Sequence, residues 1–236
     1  MAQSRNHLLN ILPQNIFAAL QPHLKDIKLV FGDVVAKPDE AVTRVYFPHS
    51  GIISLVIEME SGSMIETAMV GRDGAVNATS ALDGKTSFQK GLVQVPGEAT
   101  IISPDVLRGI ANEFEPFRSI LIRHEQVLLA QAQQSAGCNA GHTVEARMCR
   151  WLLRIRDLTQ SNEIDLTQEF LGQMLGVRRT SVSLVANTLQ KAGLIKYRRG
   201  HITILDVEQL LASACECYES VKARYDMLLM IPPTSM

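Results

Sequence analysis

The pattern of apolar and polar positions is most distinctive between Leu166 and Leu205. Apolar residues at helical spacing predict a first amphipathic helix in this segment. They are Leu166, Phe170, Leu171 and Leu175. A tight turn follows at Gly176 and Val177, where glycine relieves the corner between two helices. The apolar stripe of the second predicted helix consists of Val182, Val185 and Leu189.

A hairpin is predicted directly after the second helix. Its tip is Arg198-Arg199-Gly200-His201, and Ile202 and Ile204 lie on the returning strand. Two helices joined by a tight turn and followed by a hairpin are typical of a winged helix-turn-helix. The alternative is a solvated helix and hairpin in a protein–protein module.

The polar face of the second helix carries short or forked hydrogen-bonding side chains. They are Arg179, Thr180, Ser183 and Asn187. Such side chains suit the base edges of a DNA major groove. The segment is also locally basic, with no Asp or Glu between Arg178 and Leu205. Its cations are Arg178, Arg179, Lys191, Lys196, Arg198 and Arg199. Phosphate binding needs such a local field and does not require a basic chain.

The rest of the chain predicts a β-rich domain framed by helices. Short β-rich runs separated by turn signals fill residues 28–102 and indicate an antiparallel sandwich or barrel. Residues 6–20 and 103–117 are expected to form short helices. A further helix is predicted over Val144–Leu158, with Met148, Trp151, Leu152 and Ile155 facing inward. The segment Val207–Met230 is also expected to be helical.

A long helix is predicted from about Pro116 to Ser135, with two apolar faces. One face has the alternating three- and four-residue spacing of a coiled-coil seam and is expected to form a dimer interface. Its members are Phe117, Leu121, His124, Leu128, Gln131 and Ser135. The other face, with Ile120, Val127 and Ala130, is expected to rest on the sheet domain. The alternative is that both faces are buried in a single core. Residues 137–141 are expected to form a hinge.

Composition narrows the class of protein. The chain has 236 residues, a net charge of −1, 46% hydrophobic and 20% charged residues, which suits a globular protein with one or two domains. No run is long and apolar enough to span a bilayer, and the N-terminus has no signal-peptide pattern. Four cysteines do not suggest a disulfide scaffold, so a cytoplasmic location is expected.

Catalytic and metal sites are not expected. No Ser/His/Asp group, phosphate-binding glycine loop or carboxylate pair stands out, so the chain is not expected to be an enzyme. A cupin-type metal enzyme would need several histidines, whereas the strand region offers only His49. Cys215 and Cys217 are two apart on a predicted helix and point to different sides, so no metal pair is expected. Cys138 is a candidate for an intersubunit disulfide if it lies on the dimer seam.

The order of these elements resembles the Crp/Fnr family of bacterial transcription regulators. The likeness is strongest in LTQEFLGQMLGVRRTSVSLVANTLQKAGLIKYRRGHITIL. In the β-rich part it rests mostly on glycine spacing, at Gly32-Asp33, Gly51, Gly71-Arg72-Asp73-Gly74 and Gly97. The resemblance implies an α+β chain with an N-terminal antiparallel β-roll (a cyclic-nucleotide-binding-like jelly roll), a long dimerisation helix and a C-terminal winged helix-turn-helix. The corresponding segments are 1–115 for the sensor, 116–137 for the helix, 138–141 for the hinge and 142–236 for the DNA-binding domain.

The same resemblance implies a homodimeric, sequence-specific regulator that binds double-stranded DNA at an inverted repeat and contacts RNA polymerase. Arg179 falls where the family commonly has an arginine that binds guanine. Thr180 stands in place of a frequent glutamate, and Leu184 in place of a second arginine. Secondary candidates for DNA contact are Arg178, Ser181, Ser183 and Asn187. Phosphate contacts are expected from Thr167, Gln168, Lys196, Arg198, Arg199 and His201.

The sequence does not identify an effector or a cofactor. Members that bind cyclic nucleotides need a glycine–glutamate pair and an arginine for the cyclic phosphate. Here the first segment is Gly71-Arg72-Asp73-Gly74. The second is about Phe88-Gln89-Lys90-Gly91 and has no arginine; a lysine could hold a phosphate as a point charge but cannot form the bidentate fork, so no response to cyclic nucleotide is expected. No cysteine precedes Cys138, which disfavours an iron–sulfur cluster, and His7, His23 and His49 are weak candidates for a haem ligand. The alternative function is a signalling module that binds a small ligand and whose C-terminal domain contacts protein.

Overall fold

The computed structural model describes residues 4–230 as an α+β fold of antiparallel sheets and helices. The strands are β1 (Lys25–Leu29), β2 (Val34–Ala36), β3 (Val45–Pro48), β4 (Ile52–Glu58), β5 (Met64–Val70), β6 (Lys90–Val95), β7 (Gly97–Ile102), β8 (Glu163–Asp165), β9 (Ile195–Arg198) and β10 (His201–Ile204). The helices are α1 (His7–Asn10), α2 (Gln14–Leu20), α3 (Pro104–Glu113), α4 (Glu115–Gly141), α5 (Val144–Thr159), α6 (Gln168–Leu175), α7 (Arg179–Lys191), α8 (Val207–Ala212) and α9 (Cys217–Met230). Within residues 4–230, no helix is long and apolar enough to cross a membrane.

Two antiparallel sheets form the β-rich part of the chain. In one sheet β7 lies between β1 and β3, and the other has the strand order β2-β6-β4-β5. The backbones of Gly51 and Gly97 approach so closely that a Cβ at Gly97 would overlap the backbone nitrogen of Gly51. After the long helix α4, the C-terminal part contains a third sheet of strand order β8-β10-β9 together with α5, α6 and α7. The predicted order of antiparallel β-roll, long helix and winged helix-turn-helix is therefore confirmed.

The described residues divide into two compact units. One consists of residues 4–55, 68–130 and 223–230, and the other of residues 56–67 and 131–222. These limits differ from the sequence-based segments. The tip of the β4–β5 hairpin groups with the second unit, whereas residues 223–230 of α9 group with the first. In the second unit the side chains predicted to face inward from α5 are all buried. They are Met148, Trp151, Leu152 and Ile155.

The dimer seam predicted from the sequence is wrong, because one chain already covers it. All of its members are at most 6% exposed, namely Phe117, Leu121, His124, Leu128, Gln131 and Ser135. Phe117 and Leu121 belong to the core of the first unit, together with Phe47 of β3. The ring of His124 accepts a hydrogen bond from the backbone N–H of Ala75, with 3.1 Å between nitrogens. These side chains are therefore not available to a partner.

The exposed face of α4 carries a different stripe. Its members again alternate four and three residues apart, and they are Ile122, Gln126, Leu129, Gln133 and Ala136. Ile122 is 44% exposed and Leu129 is 58% exposed. Helical spacing identified residues that share a face, but it did not identify which face the chain itself covers.

The helix also runs through the whole of the expected hinge. Residues 138–141 belong to α4, and the break before α5 falls at His142 and Thr143. The hydroxyl of Thr143 caps α5 by accepting the backbone N–H of Ala146 at 3.3 Å. The break therefore follows from a helix N-cap, and the glycines at 137 and 141 do not interrupt α4.

Candidate nucleic-acid interface

The first helix of the helix-turn-helix is α6, which is shorter than its apolar spacing suggested. It begins after Leu166, because Thr167 is the N-cap and accepts the backbone N–H of Phe170 at 3.2 Å. It ends at Gly176, which has a φ of 62°. Gly172 inside the helix allows the turn to close, since a Cβ there would lie 2.9 Å from the carbonyl oxygen of Val177.

The second helix, α7, buries one face and exposes the other. Val182, Ala186 and Leu189 are each at most 1% exposed. The opposite face holds the sequence-predicted DNA contacts: Arg178, Arg179, Thr180 and Asn187 are exposed, and Ser181 and Ser183 are half-buried. Leu184 is 70% exposed on the same helix, so it does not pack into the core. The face therefore offers hydrogen-bonding groups and one large apolar side chain.

A side-chain hydrogen bond joins the two helices on their outer side. The hydroxyl of Ser183 donates to Oε1 of Gln168 at 2.6 Å. Gln168 is the first residue of α6, where backbone N–H groups are free of helical partners. Ser183 and Gln168 are thus held together at one end of the candidate surface.

The wing is a two-residue hairpin between β9 and β10. Arg198 pairs with His201, so Arg199 and Gly200 form the turn. Both have positive φ, 51° and 83°, as a type I′ turn requires. Lys196, Arg198 and Arg199 are exposed, so the wing presents three cations.

His201 has a different environment from the one its sequence context suggested. Its Nδ1 lies 2.7 Å from a carboxylate oxygen of Asp165, and its Nε2 forms an ion pair with Glu163. The hydrogen bond to Asp165, with a second bond to Glu163, raises the pKa of His201. The imidazole thus has carboxylate partners at both nitrogens, while a contact between His201 and phosphate stays a prediction. Both acids lie on β8, a strand that the sequence analysis missed.

A concave surface of about 390 Å³ lies between α6, α7 and the wing. Its lining residues are Thr167, Gln168, Glu169, Arg179, Tyr197, Arg199 and Gly200. Tyr197 was not foreseen; its hydroxyl donates to the carbonyl oxygen of Leu166 at 2.8 Å. Burial raises the pKa of Tyr197 to about 12, so the phenol is neutral at neutral pH. The structure thus brings Arg179 and Arg199 to one surface.

The β-roll contains a separate cavity of about 260 Å³ beside α4. Its lining includes Leu55, Phe88, Gln89 and Leu128, and Thr79 donates a hydrogen bond of 2.6 Å to Glu125 there. No Lys or Arg is among its described lining residues.

In the glycine segment at residues 71–74, Gly74 has a structural role next to His124. A Cβ at Gly74 would lie 2.5 Å from Nε2 of His124, so only glycine leaves room for this buried ring. Burial lowers the pKa of His124 to about 4, while nearby Asp73 acts in the opposite direction.

The structure also brings together side chains for which the sequence analysis expected no metal site. Ligand atoms of Cys138, His142, Cys215 and Cys217 all lie within 4.8 Å of one another. Cys138 is fully buried, with its sulfur 3.5 Å from that of Cys215 in the same chain. An intersubunit disulfide at Cys138 is therefore contradicted by its burial. The expectation of no metal site also rested on spacing along one helix, whereas these residues come from three segments.

Comparison with known proteins gives a match to a domain family in the C-terminal part. Residues 146–213 match the family model described as a Crp-like helix-turn-helix domain. A search of curated proteins gave no match.

Solved structures resemble nearly the whole chain. A putative Crp/Fnr-family transcriptional regulator from Eubacterium rectale matches with a TM-score of 0.68 and 19% identity, covering 87% of this chain and 96% of that one. The c-di-GMP responsive global regulator CLP from Xanthomonas campestris matches with a TM-score of 0.65 and 16% identity, covering 82% and 100%. FixK2 from Bradyrhizobium japonicum matches with a TM-score of 0.67 and 14% identity, covering 81% and 98%. At these identities the likeness shows the fold.

The class of the protein follows from these two findings. A β-roll, a long helix and a winged helix-turn-helix make up the fold of Crp/Fnr regulators. The chain has the fold of Crp/Fnr regulators, and residues 146–213 match a Crp-like helix-turn-helix domain. The resemblance seen in the sequence is confirmed.

Proposed function

We propose that the protein is a homodimeric transcription regulator that binds double-stranded DNA at a specific inverted repeat. The observation that carries this proposal is the exposed face of α7 with Arg179, Thr180 and Asn187. Its Arg179 lines one concave surface together with Arg199 of the cationic wing. A helix with exposed hydrogen-bonding side chains near its N-terminus is the element that enters a major groove. RNA polymerase is the protein partner that the family resemblance implies.

The side chains divide into two groups by the part of DNA they are expected to contact. Arg179 can form two hydrogen bonds to O6 and N7 of guanine, and exposed Leu184 suits the methyl group of thymine. Thr180, Ser181 and Asn187 are further candidates for base contact. Phosphates are expected at the N-terminus of α6, near Thr167 and Gln168, and at a set of exposed cations. These cations are Arg178, Lys196, Arg198 and Arg199.

The proposed dimer uses the exposed stripe of α4, centred on Ile122 and Leu129. The heptad-like spacing of this stripe suits packing against a second copy of the same helix. Two large apolar side chains exposed on one helix face are also more stable when covered. A two-fold dimer would present two α7 helices and so would bind an inverted repeat.

The proposed regulator does not respond to a cyclic nucleotide. A cyclic phosphate needs a cationic partner, and the described lining of the cavity beside α4 has carboxylate, amide and hydroxyl groups instead. The carboxylate of Glu125 in that cavity would repel a phosphate. Cyclic AMP should therefore leave the affinity for DNA unchanged.

The test is a binding titration by fluorescence anisotropy with fragments of the source genome. We expect at least one fragment to bind about 10³-fold or more tightly than random duplex of equal length at the same salt. A protein whose affinity for every fragment equals that for random duplex would not be a sequence-specific regulator. If it instead binds neither DNA class and captures a protein, the signalling-module alternative holds.

A further inference from the structure

The side-chain cluster Cys138, His142, Cys215 and Cys217 has the dimensions of a site for a single metal ion. The sulfurs of Cys138 and Cys215 are 3.5 Å apart, and the sulfur of Cys217 is 3.6 Å from Nδ1 of His142. Tetrahedral zinc with usual bond lengths places two sulfur ligands about 3.8 Å apart, and sulfur and nitrogen about 3.6 Å apart. Both observed separations are close to these edges, and all four ligand atoms lie within 4.8 Å of one another.

We propose that these four residues bind one zinc ion through three thiolates and one imidazole. Three cysteines and one histidine form a closed set of four ligands, which is the composition of structural zinc sites. Since all ligand atoms lie within 4.8 Å of one another, the space suits a single ion and not a multinuclear iron–sulfur cluster. Cys138 and His142 also lie one helical turn apart, a spacing that lets both ligate one ion.

Neighbouring groups orient the ligands as they do in known metal sites. The carboxylate of Glu216 lies 3.1 Å from Nε2 of His142, on the side of the ring away from the cluster. A proton at Nε2 donates to that carboxylate and leaves the Nδ1 lone pair directed at the cluster, next to Cys217. The side-chain amide of Gln134 donates to the sulfur of Cys217 at 3.1 Å. Such outer contacts fix the tautomer of the histidine and stabilise thiolate ligands.

The charge around the cluster also suits a metal–thiolate centre. Zinc with three thiolates and a neutral imidazole carries a net charge of −1. Arg147 and Arg150 both lie close enough to Cys138 to interact with its charge. Arg147 is only 6% exposed, and a buried cation is stabilised by a nearby negative centre. Three neutral thiols would supply no such charge.

A small apolar core explains this cluster less well than a zinc site does. Among the residues that the structure describes, Ala146 is the partly buried apolar side chain packed against the three cysteines. A small apolar core has no need for an imidazole whose other nitrogen is held by a carboxylate. Bound zinc would join the end of α4, the break before α5 and the segment that enters α9, all within the second unit.

The experiment measures metal content of the full-length protein, purified with reductant and without chelator. We expect about one zinc ion per chain by plasma mass spectrometry. Replacement by cobalt should give the intense visible absorption of a tetrahedral thiolate complex. Cys149 provides the matched control, because it is equally buried but lies outside the cluster. The C149A variant should keep both signals, whereas C217S and H142Q should lose them.

Circular dichroism of each variant shows whether the loss of metal is separate from loss of fold. H142Q changes a residue that is only partly buried, so it serves if C217S does not fold. The proposal is overturned if the reduced wild-type protein takes up neither zinc nor cobalt. It is also overturned if the variants bind metal as the wild type does, or if a Cys138–Cys215 disulfide is recovered in place of metal. DNA affinity is not the readout, so the outcome does not depend on the proposed function.

Discussion

Arg179 and Arg199 line one concave surface but are expected to contact different parts of a duplex. Arg179→Ala should weaken binding to the best site by about 1–3 kcal/mol and relax one base position. Arg199 is expected to contact phosphate, so its loss should weaken all sequences equally and lower the slope of affinity against salt by about 1. Arg199→Asn is the suitable variant, because asparagine tolerates the positive φ of this turn. Titrations with specific and random duplex at several salt concentrations separate the two effects, and identical behaviour of both variants would contradict the assignment.

Leu184 gives a prediction about thymine. Its side chain is 70% exposed on α7, where apolar contact with a thymine methyl group is possible. Replacing the contacted thymine by deoxyuridine removes only that methyl group and should weaken binding by about 1 kcal/mol. The Leu184→Ala variant should be insensitive to the same replacement. If wild-type affinity is unchanged by deoxyuridine at every position of the site, Leu184 has no such contact.

His124 predicts a loss of stability in acid. Burial lowers the pKa of His124 to about 4, against about 6.5 in an unfolded chain. The unfolded state therefore binds more protons between these values, and the free energy of unfolding should decrease as the pH falls from about 6.5 to about 4, by on the order of 3 kcal/mol. His124→Gln keeps an acceptor for the N–H of Ala75 and removes the titration. Urea unfolding at several pH values should show a shallower pH dependence for this variant; equal slopes would refute the prediction.

For single residues, the sequence predicted which charged side chains are exposed better than it predicted which side chains contact one another. The Lys and Arg side chains between Arg178 and Leu205 are exposed as expected, because charged side chains rarely enter a core. The acids that pair with His201 could not be foreseen, since they reach it through the pairing of β8 with β10. The metal-ligand cluster was missed because Cys138 and Cys215 are separated by 77 positions along the chain.

The helix-turn-helix as an element depends on Gly172. Alanine favours helix over glycine by about 1 kcal/mol, so Gly→Ala in a helix normally stabilises. At Gly172 the added Cβ would lie 2.9 Å from the carbonyl oxygen of Val177, so Gly172→Ala should destabilise the protein. Gly109 in α3 is the matched control, because nothing lies within 4 Å of a Cβ there. Thermal unfolding should show a lower Tm for the first variant and an equal or higher Tm for the second; a raised Tm for Gly172→Ala would show that the turn has room.

Helices with a strong apolar pattern were predicted well, but the segments that pack against each face of a helix were predicted less well. The buried stripe of α7 follows from helical periodicity, and Val182 and Leu189 are buried as expected. In α4 the same reasoning chose the wrong face for a dimer. Phe117, Leu121 and His124 share a face, but the fold of the same chain covers it. Such coverage depends on contacts between distant segments, which periodicity does not contain.

For the whole molecule, the exposed stripe of α4 predicts a dimer. Leu129→Asp places a charge in the proposed contact, which should shift the protein from dimer to monomer in sedimentation velocity. Val30→Asp changes a residue that is similarly exposed, at 57%, but lies outside α4, so it should leave the dimer intact. A dimer that persists in Leu129→Asp would place the interface elsewhere.

The central claim is that two copies of α7 enter successive major grooves of one duplex. Repeated selection of bound sequences from a random duplex library tests it most directly. The account predicts an inverted repeat with half-site centres about 10 base pairs, or one helical turn, apart. It also predicts that Arg179→Ala loses the preference for guanine at one symmetric pair of positions. Recovery of a single unrepeated site, or of no enriched sequence, would contradict it.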